Sequence, residues 1–187
     1  YELLTMANRT TEDVFSLLDN LLKWTKSQIG NLNVVYQDVD AVEVVDSVID
    51  VFNMVAGLKK ITIREEKPEK LPVCTDIDML KTIIRNLLSN AIKFSNENSE
   101  VLVKMEEQGD TVVVSVKDSG CGIDEEGQQK LLHTDTHFST FGTNNEEGSG
   151  LGLLLCQDFA VKIGGKLWFT SKEGEGSTFY FSIPLKK

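Results

Sequence analysis

The chain has 187 residues, 41% of them hydrophobic, and a formal net charge of −10. That length supports one main domain with a sizeable core plus an appendage, and the acidic balance speaks against broad phosphate-backbone binding, so no nucleic-acid partner is expected. The three cysteines, Cys74, Cys121 and Cys156, stand at irregular spacing with no CxxC pair, which disfavours a zinc knuckle or a disulfide framework and fits a reducing cytosol.

No apolar run approaches the roughly 20 residues needed to cross a bilayer, and no charged-then-apolar leader opens the chain, so the piece is expected to be soluble. It opens on Tyr1 rather than Met. A piece of a longer protein is therefore expected, with room upstream for a sensory or membrane-spanning region.

Residues 3 to 29 carry an apolar seam at Leu3, Ala7, Val14, Leu17, Leu21 and Trp24, with a second stripe at Leu4, Phe15, Leu18, Leu22 and Ile29 beside it. This spacing predicts a helix with too much apolar face to stand by itself, ended by Gly30-Asn31. "NVVYQ" at 33–37 reads as a short strand, and Asp38 or Asp40 can cap a helix running to about Leu58. "KITIRE" at 60–65 alternates like a strand, Pro68 and Pro72 mark a loop, and Asp76 caps a predicted helix over 77–94.

"EVLVKMEE" at 100–107 and "TVVVSVKD" at 111–118, joined by Gln108-Gly109-Asp110, form the clearest hairpin. A short helix is expected over 124–132. The stretch 133–150 has no apolar period and reads as a mobile loop, helix returns over 151–163, and "KLWFTS" and "STFYFSIP" make a final strand pair.

Three places could carry chemistry. On the helix 77–94, Asn86, Asn90 and Lys93 follow i, i+4 and i, i+3 steps and share a face. A carboxamide oxygen is a hard ligand suited to magnesium, and a lysine can meet a phosphate as a point charge. "DSGCGI" sets Asp118 at a strand end, able to accept from an exocyclic amine, with glycines that let backbone approach a flat ring. "GSGLGL" at 148–153 opens a helix, where free amides favour anions. It lacks the strand-turn-helix order of a Rossmann fingerprint and the Gly-Lys-Ser/Thr of a P-loop.

In this order, an Asn-bearing helix, "DSGCGI", a loop ending in "GSGLGL", then "GEGSTF", the chain resembles the catalytic and ATP-binding domain of sensor histidine kinases. That family belongs to the ATPase superfamily shared with gyrase, mismatch-repair ATPases and the large heat-shock chaperone. The resemblance runs from about 33 to 185, and "LLDNLLKWTKSQIGNL" looks like the second helix of the dimerisation and phosphoacceptor hairpin. It implies an α+β two-layer sandwich, the Bergerat fold, over 32–187, preceded by a partial hairpin helix over 1–31.

The resemblance further implies ATP and Mg2+ as ligands, with Asn90 on the magnesium, Asn86 beside the phosphates, Lys93 on phosphate and Phe94 near the nucleotide. Asp118 would receive the adenine amino group, with Gly120, Gly122 and Ile123 shaping the adenine pocket. Gly148, Gly150, Leu151 and Gly152 would flank the phosphates, and Ser177 would supply a hydroxyl to the adenine side, with Thr178 as the weaker alternative. The implied partners are a response-regulator receiver domain and a second copy joined through the hairpin, in a cytoplasmic domain compatible with a membrane-anchored bacterial sensor.

Hydrolysing members of the superfamily carry a glutamate four residues before the magnesium asparagine. Asn86 stands there instead, an amide with no useful basicity, so phosphoryl transfer is favoured over hydrolysis. A hydrolase or a nucleotide-binding scaffold without turnover remain the alternatives. The kinase phosphoacceptor histidine is not found on the N-terminal helix. His133 and His137 fall where no family motif places an acceptor and read as exposed loop residues, so the chain is not expected to phosphorylate itself.

Overall fold

The computed structural model describes residues 18–27, 32–132 and 151–185. Residues 18–27 are helical (α1), followed by β1 (Gln37–Asp40), α2 (Ala41–Leu58), β2 (Thr62–Glu66), β3 (Pro72–Thr75) and α3 (Ile77–Phe94). Then come β4 (Glu100–Gln108), β5 (Thr111–Lys117), α4 (Glu125–Leu132), α5 (Leu151–Lys162), β6 (Leu167–Lys172) and β7 (Gly176–Pro184).

Five strands form one mixed sheet in the order β2-β4-β5-β7-β6, with β2 parallel to β4 and every other pair antiparallel. Strand alternation sends Val101, Val103 and Met105 of β4, Val112, Val114 and Val116 of β5, and Phe181 and Ile183 of β7 to one face. Against it lie the buried faces of α2, α3 and α5, in a single core cluster. This is the α+β two-layer sandwich that the resemblance implied. On the opposite face Trp168 and Tyr180 stack across the β6–β7 pair with ring centroids 5.3 Å apart.

Helix α3 buries Leu80, Ile83, Ile84, Leu87, Leu88, Ala91 and Ile92, and each large side chain so covered contributes about 1.5–3 kcal/mol over leaving it in water. Its N-cap Asp76 accepts from Asp78 N and Met79 N, both at 3.0 Å, through Oδ1, while Oδ2 takes Val35 N at 2.8 Å. Asp40, the N-cap of α2, likewise takes Val42 N at 2.9 Å and Leu71 N at 3.0 Å.

One expected strand moves. Instead of 33–37, the strand is Gln37–Asp40, because its partner is the four-residue β3, with Gln37 opposite Thr75 and Asp40 opposite Pro72. Pairing cannot extend toward Tyr36, since the residue it would meet is Asp76, already turned into the α3 cap. β3 itself falls where the sequence read as a loop. β2 starts at Thr62 rather than Lys60, because Lys60 has φ of 56° and pairs in a turn with Gly57 O.

Within α1, Trp24 packs against the core and Ser27 donates to Asp158 of α5, while Leu18, Leu21 and Leu22 are exposed. The rest of the expected 3–29 helix, its Gly30-Asn31 stop, and the loop over 133–150 with His133 and His137 lie outside the described residues. Among the described residues no helix is long and apolar enough to cross a membrane.

Candidate functional site

The last two turns of α3, the β5–α4 turn, the start of β7 and the first turn of α5 meet at one end of the sandwich. Because α3 turns its apolar stripe to the sheet, Asn86, Asn90, Lys93 and Phe94 fall at the border of the buried face, each partly exposed. The two asparagines differ in what they do. Asn86 donates from Nδ2 to Thr82 O at 2.8 Å, one turn back on its own helix. Its Oδ1 lies against Gly152 in the first turn of α5, so close that a Cβ at Gly152 would stand 2.6 Å from it. Asn90 makes no hydrogen bond with any described residue, which leaves its carboxamide oxygen available.

Lys93 holds its ammonium 5.0 Å from the centroid of the Phe94 ring. The N-terminal turn of α5, which brings Gly152 to Asn86, adds the positive end of a twelve-residue helix on the same side. Leu151 is buried at that helix start, while Leu155, Cys156, Phe159 and Ala160 seat the helix on the core. Gly148 and Gly150 lie outside the described residues.

Asp118 follows β5 and is only 4% exposed. Its Oδ1 accepts from Gly120 N at 2.9 Å and Ser177 N at 3.2 Å, and its own N–H donates to Ser177 O at 2.9 Å. Oδ2 accepts from no described residue. Burial pushes the Asp118 carboxyl above the ordinary carboxylate range, and the backbone N–H groups of Gly120 and Ser177 offset this only in part. A half-satisfied, deeply set carboxylate of this kind suits an N–H donor such as an exocyclic amine.

The turn after Asp118 is shaped by close backbone approach. A Cβ on Gly120 would meet Phe94 O at 2.1 Å, and Gly122, at φ of 65°, lies against Lys172 O. Ile123 N donates to Ser171 Oγ at 2.9 Å, and Ser171 Oγ donates to Gly176 O at 3.1 Å. The Ser171 and Ser177 hydroxyls lie 2.9 Å apart, within hydrogen-bond distance, and either can donate to the other. Gln128 of α4 ties the same turn down by donating to Ile123 O at 2.7 Å and Ser171 O at 3.2 Å.

Thr178 is not brought to this site. It pairs with Lys117, and strand alternation puts it on the face opposite to Asp118 and Ser177. Ser171, Gln128 and Lys59 were not singled out from the sequence. Ser171 becomes significant only through its register opposite Ser177, and Lys59 only through where the end of α2 falls beside α3.

A magnesium ion fits the donor set in a limited way. Among the described residues no group of three His, Cys, Asp or Glu could hold a metal, so Asn90 would be one protein ligand beside phosphate oxygens and water.

A family model described as "Histidine kinase-, DNA gyrase B-, and HSP90-like ATPase" matches residues 75–187. The adaptive-response sensory kinase SasA of Rippkaea orientalis is 30% identical over 171 residues, 90% of this chain and 43% of that protein. The sensor histidine kinase WalK of Bacillus subtilis is 28% identical over 186 residues, 98% of this chain and 30% of its own length. The chain thus spans less than half the length of either relative. Among solved structures, the nucleotide-free catalytic domain of histidine kinase ThkA superposes with a TM-score of 0.70 at 30% identity, covering 81% of this chain and 96% of that one.

Proposed function

The chain belongs to the histidine kinase-, DNA gyrase B- and HSP90-like ATPases, and on that premise we propose that it is the ATP-binding catalytic domain of a two-component sensor histidine kinase. In this reading residues 32–187 form the nucleotide-binding domain and residues 1–31 part of a dimerising hairpin that joins two copies. The γ-phosphoryl group goes to a histidine outside residues 1–187, and from there to a response-regulator aspartate. The sensory-kinase and histidine-kinase names of the relatives support this, as does the likeness to the ThkA domain.

Asp118 Oδ2 accepts the adenine amino group, with Ser177 beside it as a second acceptor and the Gly120–Gly122 turn against the ring. Asn90, Lys93 and the N-terminal turn of α5 serve the phosphates. Magnesium, when bound, neutralises charge on the phosphate oxygens, and Asn90 is the residue of this chain that would hold it. Asn86 orients; it does not take a proton.

That last point carries the choice of reaction. Asn86 is an amide whose nitrogen is committed to Thr82 O and whose oxygen is packed on Gly152, so it has no basicity to activate water. What remains is positioning and charge neutralisation, which suffice for transfer to an imidazole supplied by another element. The test is to mix the chain with magnesium, γ-labelled ATP and a separately supplied phosphoacceptor hairpin. Acid-labile label on the hairpin is the expected result. Free phosphate released faster than label transfer would point to a hydrolase, and binding with neither product to a scaffold.

A further inference from the structure

An anion placed at the C-terminal end of a helix meets the negative end of the macrodipole and the last carbonyl oxygens. α3 offers that end to the site, since Asn90, Lys93 and Phe94 all lie in or next to its final turn. Its last four carbonyls can each be followed. Ala91 O accepts from Ser95 N at 3.1 Å. Ile92 O and Lys93 O both accept from the ammonium of Lys59, at 3.0 and 2.8 Å. Phe94 O lies against Gly120, where a Cβ would stand 2.1 Å away.

Lys59 is the C-cap of α2 and is only 8% exposed. Its backbone N–H is itself held by Ala56 O at 3.0 Å, so the residue is anchored at its own helix end before it reaches across to another. A buried ammonium is an expensive way to fill space, and an apolar chain of the same length would fill it without desolvating a charge. What it adds is a positive charge and two donors under the very turn that carries the phosphate-side groups.

We propose that Lys59 is a positioning residue for the phosphate half of the nucleotide site. It closes the last turn of α3 so that Asn90 and Lys93 keep their places, and it reverses the unfavourable sign of that helix end toward an anion. The proposal rests on reading the site as one for ATP. Lys59 touches no nucleotide. The adenine half is held separately, because Asp118 Oδ1 is fixed by Gly120 N and Ser177 N at the ends of β5 and β7.

The two halves can therefore be separated by ligand. Mg-ATP and adenosine are titrated by calorimetry or chemical shift into the 187-residue chain and its Lys59→Met, Lys59→Gln and Lys59→Arg variants. Lys59→Met should bind Mg-ATP at least tenfold more weakly and adenosine within threefold of the parent. Hydrogen exchange should quicken at the amides of residues 93–96. Lys59→Gln, which keeps a donor and loses the charge, should still lower the ATP-to-adenosine affinity ratio at least threefold, and gives the answer if Lys59→Met does not fold. Lys59→Arg should restore the ratio to within threefold. Equal weakening of both ligands, or unchanged ATP affinity in a folded neutral variant, overturns the proposal. Failure of the parent chain to bind either ligand overturns the ATP reading as well.

Discussion

Replacing Asp118 by asparagine changes essentially one atom of the site. The side-chain carbonyl keeps the bonds from Gly120 N at 2.9 Å and Ser177 N at 3.2 Å, while an NH2 group takes the place of Oδ2. An adenine amino group would then face a donor instead of an acceptor. Losing a hydrogen bond to a charged group costs about 1.5–3 kcal/mol, and leaving a buried donor unmatched costs about 1–3 kcal/mol more. At about 1.4 kcal/mol per tenfold, ATP affinity should fall between about a hundredfold and about ten-thousandfold.

Folding should not suffer in parallel. Burial raises the native carboxyl above its ordinary 3.8, so in the window between that value and the raised one the native state binds more protons than the unfolded state. Stability contributed by this group therefore falls as pH rises through the window, and stays lower above it. A neutral asparagine has no such slope, and Asp118→Asn should melt at the same or a higher temperature at pH 7. Calorimetric titration with ATP, paired with thermal melts from pH 4 to 8, measures both. ATP affinity within threefold of the parent would refute the adenine assignment, and a melt many degrees lower at pH 7 would refute the burial argument.

Other substitutions probe the remaining parts. Gly152→Ala places a methyl group 2.6 Å from Asn86 Oδ1, so Asn86 must rotate off Thr82 O. The lost hydrogen bond of about 1 kcal/mol is offset by the similar helix preference of alanine, so the melt should stay within a few degrees while transfer to a supplied hairpin drops tenfold or more. Undiminished transfer would show that the packing of Asn86 on α5 is incidental. Asn90→Asp should shift the magnesium concentration for half-maximal ATP binding several-fold and leave adenosine affinity within twofold; equal shifts in both would count against a metal role. Asp76→Ala removes the α3 cap and the acceptor of Val35 N together, and urea unfolding should report a loss of about 1–3.5 kcal/mol.

Local order was legible where one period dominates the chain. The α3 stripe from Leu80 to Ile92, its Asp76 cap, and the β4–β5 hairpin around Gly109 stand where the pattern places them, because each depends on neighbours within a few residues. The four-residue β3 was not legible. A strand of four residues that opens on a proline has no period long enough to read, and it exists because Gln37–Asp40 lies beside it. β1 shifted for the same reason, its register being set by a partner whose next residue is already a helix cap.

The site divides along the same line. Asn86, Asn90, Asp118, Gly120, Gly122 and Gly152 could be put forward as candidates from residue type and order, since the chemistry of an amide, a carboxylate or a missing Cβ belongs to the residue itself. That Asn86 is locked between Thr82 O and Gly152 while Asn90 makes no hydrogen bond with a described residue is a fact of two helices meeting. Ser177 facing Asp118 while Thr178 turns away follows from the β5–β7 register, which no single strand carries. Lys59 is the extreme case: in the sequence it is one of two lysines after a helix, and only the packing of α2 beside α3 turns it into the donor to Ile92 O and Lys93 O in the last turn of α3. Residue chemistry is local and can be read from the chain, whereas which lone pairs and charges are left over depends on contacts between segments far apart in sequence, and those exist only once the sheet and its helices have closed.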